Sequence, residues 1–400
     1  MNDEMNLNEE QVADMPLGET NASCECSFLP PEELAKEDVA VDYAAAIIQP
    51  EPLSPYVFDK DEKKKAKKIV SRSFLGIFIY WLIIQGVFTV CWYASLYVAK
   101  TFFGDVGFDF VYSGAFSLLL QLLCYAIALP IFLAITKNIP KATTQKKNRL
   151  PFGQFMLLML ISWAVMILGS YISSLTDLAM TLIYGTPVDN AVDSMISNTP
   201  IWLVMLVVVV VGPIVEELIF RKVLIDRLSI FGDRTAILIS AIAFGLFHGN
   251  LSQLFYAALV GLVFGYVYAR TRRIWNSIFL HMIVNFLGSV IPMIGEWAQG
   301  NIDRLGDDMS ILTAEEQTLY SLSSALSLST SAIQGGVFIA GLVFLIIFLA
   351  KRKFKVSHSC EMPIPRKSRA GVYLCNAGVI LFLVICAIQI AASLGMNILL

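Results

Sequence analysis

Long apolar runs separated by short polar segments dominate the sequence from about residue 74 onward. A helix of about 20 apolar residues crosses a bilayer. On that criterion nine spans are read near 74–99, 113–136, 154–184, 200–228, 235–249, 254–270, 274–292, 329–350 and 371–395. The expected fold class is an all-α polytopic membrane protein of 8–9 transmembrane helices.

The polar segments are patterned as regularly as the runs. Lys60, Lys63, Lys64, Lys65, Lys67, Lys68 and Arg72 precede the first span, and Lys137, Lys141, Lys146, Lys147 and Arg149 follow the second. Arg227 and Arg234, then Arg270, Arg272 and Arg273, and finally the basic residues from Lys351 to Arg369 mark the next three alternate connections. The intervening segments 100–112, 185–199, 250–253 and 293–328 are poor in Lys and Arg. This alternation predicts a multi-pass cell-membrane protein with its N-terminus in the cytoplasm. The organisation expected is an acidic disordered tail (1–59), a basic juxtamembrane segment (60–73) and N-terminal transmembrane helices (74–199). A core segment (200–292), an extracytoplasmic acidic loop (293–328) and C-terminal transmembrane helices (329–400) follow.

Composition refines the two ends of that scheme. Of the 400 residues 56% are hydrophobic and 15% charged, well below the charge of a soluble domain. The first 59 residues hold fourteen Asp or Glu against one basic residue, Lys36, too polar a stretch to bury a core. They lack a basic n-region and an apolar core, so no secretory signal is expected and the first span should act as an uncleaved anchor. Seven cysteines without repeated spacing predict no disulfide framework. Thr313-Ala-Glu-Glu316 reads as a capping box opening a short amphipathic helix in the long outer loop. Ala257, Gly261, Gly265 and Ala269 form a small-residue stripe that predicts close helix packing.

Ionisable groups at membrane depth are costly and mark function by default. Here they gather in three spans. Residues 212–221 read Gly-Pro-Ile-Val-Glu-Glu-Leu-Ile-Phe-Arg. Residues i and i+4 share a helix face, so Glu217 and Arg221 are the natural ion pair and Glu216 points elsewhere. Pro213 is expected to free a carbonyl nearby. Of three histidines, His248 closes the fifth span in Phe244-Gly-Leu-Phe-His248 and His281 lies in the seventh in His281-Met-Ile-Val-Asn285. At ~1.5 Å per residue the four groups Glu216, His248, His281 and Asn285 reach similar depth, provided the fourth helix continues to about residue 228. A carboxylate and an imidazole can deprotonate a water. A second imidazole and an amide can donate to an oxyanion. Glu216, His248 and His281 could alternatively hold zinc, although no His-Glu-x-x-His motif is present.

At these residues the sequence resembles the CPBP family, the CAAX protease and bacteriocin-processing group of intramembrane proteases. The family patterns Glu-Glu-x-x-x-Arg, Phe-x-x-x-His and His-x-x-x-Asn occur in order as Glu216-Glu217…Arg221, Phe244…His248 and His281…Asn285. The resemblance spans roughly residues 200–290. It implies a helical membrane core in which Glu216 and His248 activate water while His281 and Asn285 form the oxyanion hole, with Glu217, Arg221 and Phe244 in support. It further implies a metal-independent glutamate mechanism, despite a metalloprotease label common in the family. No cofactor is therefore expected, with zinc the alternative. The expected partners are a membrane-associated peptide or protein and the lipid bilayer, with no nucleic acid. A non-catalytic immunity or scaffolding protein of the same fold is the runner-up, and a transporter using Glu and His as a proton relay is the third reading.

Overall fold

The structure is a computed structural model that describes residues 58–143, 147–185, 195–196, 199–306, 310–356 and 360–394. Residues 1–57 of the expected acidic tail, with Cys24 and Cys26, and also His358 lie outside the described residues. Every element among the described residues is helical. In hydrocarbon the backbone has no water to bond, and a helix satisfies its own N–H and C=O groups.

Eleven helices are used below. They are α1 (Lys60–Val98), α2 (Gly104–Val111), α3 (Gly114–Thr136), α4 (Phe152–Tyr184), α5 (Ile201–Phe231), α6 (Asp233–Phe247), α7 (Leu251–Thr271), α8 (Ile274–Leu305), α9 (Ala314–Ala350), α10 (Arg366–Tyr373) and α11 (Ala377–Ser393). Their starts follow from local chemistry. Asp59, Ser113, Asn250 and Asn376 each accept a backbone N–H three residues on, as N-caps do. The Thr313–Glu316 capping box forms in both directions.

Among the described residues seven helices are long and apolar enough to cross a membrane, and the bent pair α10–α11 makes up to eight. The fifth expected span, 235–249, accounts for the difference. Helix α6 has 15 residues, about 22 Å of rise against a hydrocarbon core of about 30 Å. It stops because Gly249 adopts φ +69°, a left-handed turn that costs glycine little. His248 is therefore set at the C-terminal tip of a short helix.

Two other expected boundaries move. The basic segment 60–73 is the first part of α1 and not a separate element. Most of the expected loop 293–328 is helical: α8 runs on to Leu305, and the capping box opens α9, one 37-residue helix through Ala350. No proline interrupts 314–350, so the short amphipathic helix and the eighth span are continuous.

The site is framed by α5–α8. Helices α6 and α7 pack closely because Gly245 sits over Ala258 and the Leu254 carbonyl, while Gly261 faces Ala241 and Gly265 faces Ile237. Ser240 of α6 donates to the Phe220 carbonyl of α5 at 2.8 Å. The far end of α5 is locked by charge. Asp226 accepts from Lys222 at 2.9 Å and Tyr268 at 2.7 Å, while Arg272 pairs with Asp226 and Asp233. Arg227 reaches across to the Thr136 carbonyl of α3 at 2.6 Å.

Candidate active site

Helix α5 carries the carboxylates and runs unbroken past residue 228, as their depth required. It is not uniformly α-helical. Residues Met205–Val211 and Leu218–Ile225 are wound with i→i+5 hydrogen bonds, flanking the α-helical stretch Gly212–Glu217. In that winding residue 213 would donate to residue 208, but Pro213 has no N–H. The Val208 carbonyl thus left over accepts from Asn285 Nδ2 of α8 at 2.9 Å.

The two adjacent glutamates face different surroundings. Glu217 and Arg221 have fully buried side chains and pair at 3.3 Å, Oε2 to Nε. The Glu216 side chain is 21% exposed. The Arg221 terminal nitrogens have no hydrogen-bond partner among the described residues. Their charge is met by Glu217 and by aromatic faces, with the guanidinium carbon 4.5 Å from the Phe244 ring centre and 5.8 Å from that of Phe264.

His281 is placed between the carboxylates. Its Nδ1 lies 3.2 Å from Glu217 Oε1 and its Nε2 3.5 Å from Glu216 Oε2. The Glu217 carboxylate, paired with Arg221, accepts from Nδ1, and Nε2 is turned toward Glu216. His248 is fixed differently. Its Nδ1 lies 2.8 Å from the Phe244 carbonyl, one turn back. A carbonyl also only accepts, so the proton is on Nδ1 and the Nε2 lone pair is free.

Phe244 packs against His248 at 4.9 Å and His281 at 5.7 Å between ring centres, and covers Arg221. Glu216 acts electrostatically on both His248 and Arg221. Glu216, Glu217, Arg221, Phe244, His248 and His281 thus form one cluster. Asn285 stands one turn along α8 from His281, held on Val208. Among the described residues no group of three or more His, Cys, Asp or Glu is arranged to hold a metal.

Several neighbours had no place in the motifs. Phe264 of α7 tilts over His281 at 4.9 Å. Ser277, at the same four-residue spacing before His281 that Asn285 has after it, interacts with Glu217. That spacing was a usable signal. Tyr80 and Tyr125, from α1 and α3, lie within range of the Glu216 charge. The Tyr125 hydroxyl is 4.0 Å from where a Cβ on Gly212 would stand. Nothing in sequence spacing connects residues so far apart in the chain.

The family described as "Type II CAAX prenyl endopeptidase Rce1-like" matches residues 198–287, the stretch that holds every member of this cluster apart from the two tyrosines. The "Putative membrane peptidase YdiL" of Bacillus subtilis (strain 168) is 30% identical over 171 residues, covering 41% of this chain and 68% of that protein. No solved structure matches the chain. The match to a membrane peptidase over two thirds of its length, with the Rce1-like match centred on the polar cluster, shows that the chain belongs to the CPBP family of membrane proteases.

Proposed function

We propose that this CAAX-type membrane protease hydrolyses a peptide bond of a membrane-associated peptide or protein, with Glu216 and His248 activating water and His281 and Asn285 stabilising the oxyanion. The observation that carries the reading is the unequal treatment of two adjacent glutamates. Glu217 is buried, paired with Arg221 and bonded to His281, whereas Glu216 stays partly open beside His281.

The roles follow from which atoms remain available. The free Nε2 lone pair of His248 and the Glu216 carboxylate are both acceptors, as a water about to lose a proton needs. The water oxygen attacks the scissile carbonyl carbon and its proton passes to this pair; the same proton later goes to the leaving amine. The Asn285 amide has two N–H groups. One is bonded to Val208 and fixes the amide, leaving the second for the oxyanion. His281 donates through Nε2 only when that nitrogen is protonated, a form balanced by the carboxylates on either side. Glu217 then acts as the orienting partner of His281 as well as the counter-ion of Arg221, and no step requires a metal. The alternating basic segments support a cytoplasmic N-terminus in the cell membrane.

The test compares membrane peptides from cells carrying wild type, Glu216→Gln or His248→Ala at equal protein levels. Both variants are expected to accumulate the same uncut precursor. Unchanged processing in either variant would overturn the assignment, and protection or binding retained in both would favour a non-catalytic role.

A further inference from the structure

Beyond the catalytic cluster, we infer that the chain carries a binding site for the phosphate headgroup of an anionic phospholipid, between the start of α1 and the end of α3. A cavity of about 550 Å³ opens there. Lys65, Lys68 and Arg72 enter it from α1, and Lys141 enters from the segment after α3. The three α1 residues are spaced i, i+3 and i+7, so they line one helix face. None of the four has a carboxylate within ion-pair distance among the described residues. The one acid in the lining, Glu361, is already engaged, accepting from the Thr143 N–H and hydroxyl at 2.6 Å each. Four cations thus line one cavity against the single acid Glu361, with none of them ion-paired among the described residues.

Position and shape favour a lipid over a soluble anion. The apolar part of α1 starts near Phe74, so Arg72 and Lys65 lie roughly 3 and 13 Å outside it, the depth of the headgroups. The cavity wall is apolar where Ile69, Ile230 and Met362 contribute. On the membrane side, Ile131 and Ile135 of α3 are exposed one turn apart, leading toward Asn138 at the cavity edge. A phosphodiester would sit among the lysines and Arg72, its glycerol against the apolar wall, and an acyl chain along α3. This inference is independent of the proposed peptidase mechanism.

The experiment uses the purified full-length chain in nanodiscs of phosphatidylcholine. Phosphatidylglycerol is titrated in, and bound lipid is read by native mass spectrometry and by melting temperature. Wild type is expected to take up phosphatidylglycerol selectively, with inorganic phosphate at millimolar concentration neither stabilising it nor displacing the lipid. In Lys68→Gln/Arg72→Gln/Lys141→Gln the preference should fall about 10- to 100-fold, on the order of a fewfold per charge. A control neutralising three exposed basic residues outside the cavity, Lys64→Gln/Lys147→Gln/Lys367→Gln, should keep it within about threefold. Each variant's melting in pure phosphatidylcholine checks its fold, and the wild-type preference reads the inference without any variant. No preference in wild type, an equal loss in both triple variants, or displacement by inorganic phosphate would each overturn the lipid site.

Discussion

Replacing Glu217 by Gln should destabilise the protein strongly, and removing its partner at the same time should restore most of the loss. The pair lies at 3.3 Å with both side chains fully buried. At an effective dielectric of about 20 the attraction is roughly 5 kcal/mol. Breaking a buried pair by removing one partner costs about 3–5 kcal/mol, because a charge is left uncompensated. Glutamine still offers an oxygen to His281 Nδ1, so Glu217→Gln isolates the charge. Arg221→Met removes the cation instead; the terminal nitrogens it deletes have no hydrogen-bond partner among the described residues, and the thioether suits the faces of Phe244 and Phe264. At about 2 °C per kcal/mol, each single variant should melt about 6–10 °C below wild type.

The double variant Glu217→Gln/Arg221→Met should return to within about 3 °C of wild type, since exchanging a buried ion pair for neutral groups is often close to neutral. Tryptophan fluorescence during heating in detergent reads the transition, with purified wild type in the same micelles as reference. The four proteins form a double-mutant cycle with a coupling of about 3 kcal/mol or more. If the two losses simply add in the double variant, or if Glu217→Gln melts with wild type, the pair does not hold the core of the site.

The remaining predictions concern packing, metal and topology. Gly245→Val should cost about 1–3 kcal/mol by overpacking and reduce peptidase activity, because any Cβ there meets the Leu254 carbonyl and Ala258 and pushes the His248 helix off α7; Gly336→Ala, with open space around it, should leave melting unchanged or raised. Purified active protein should contain well under one equivalent of zinc by elemental analysis and keep its activity after chelation; stoichiometric zinc lost together with activity would refute the metal-independent reading. In a variant whose sole cysteine is Cys360, an impermeant maleimide should label inside-out but not right-side-out vesicles. Burial raises this thiol above its ordinary range, so the thiolate fraction is small at neutral pH and labelling should climb roughly tenfold per pH unit toward alkaline conditions.

Much of the fold was legible because lipid leaves the backbone few options. Apolar length alone located the helices, and the small residues at 257, 261, 265 and 269 announced the contact that α7 makes with α6. Helix length within the protein was less legible. The run 235–249 has a spanning composition, yet Gly249 turns the chain early, and one glycine does not distinguish a terminus from a tolerated interruption. The segment 293–328 failed in the opposite sense: its acidic residues suggested a loop, but outside hydrocarbon a helix carries charge without penalty, so α8 and α9 extend past their apolar stretches.

Within the site, intrahelical geometry could be read and interhelical geometry could not. Four-residue spacing separated Glu216 from Glu217 and paired the latter with Arg221, since both residues belong to one rigid helix. The same rule says nothing about rotation of α8 against α5. That rotation gives His281 two carboxylate neighbours and sets which nitrogen can donate to an oxyanion. Glu217→Gln/Arg221→Met keeps the oxygen that holds Nδ1 while removing both buried charges. Activity surviving in that double variant would show that orientation of His281 is what Glu217 contributes; activity lost in a protein of native stability would show that its charge is needed as well.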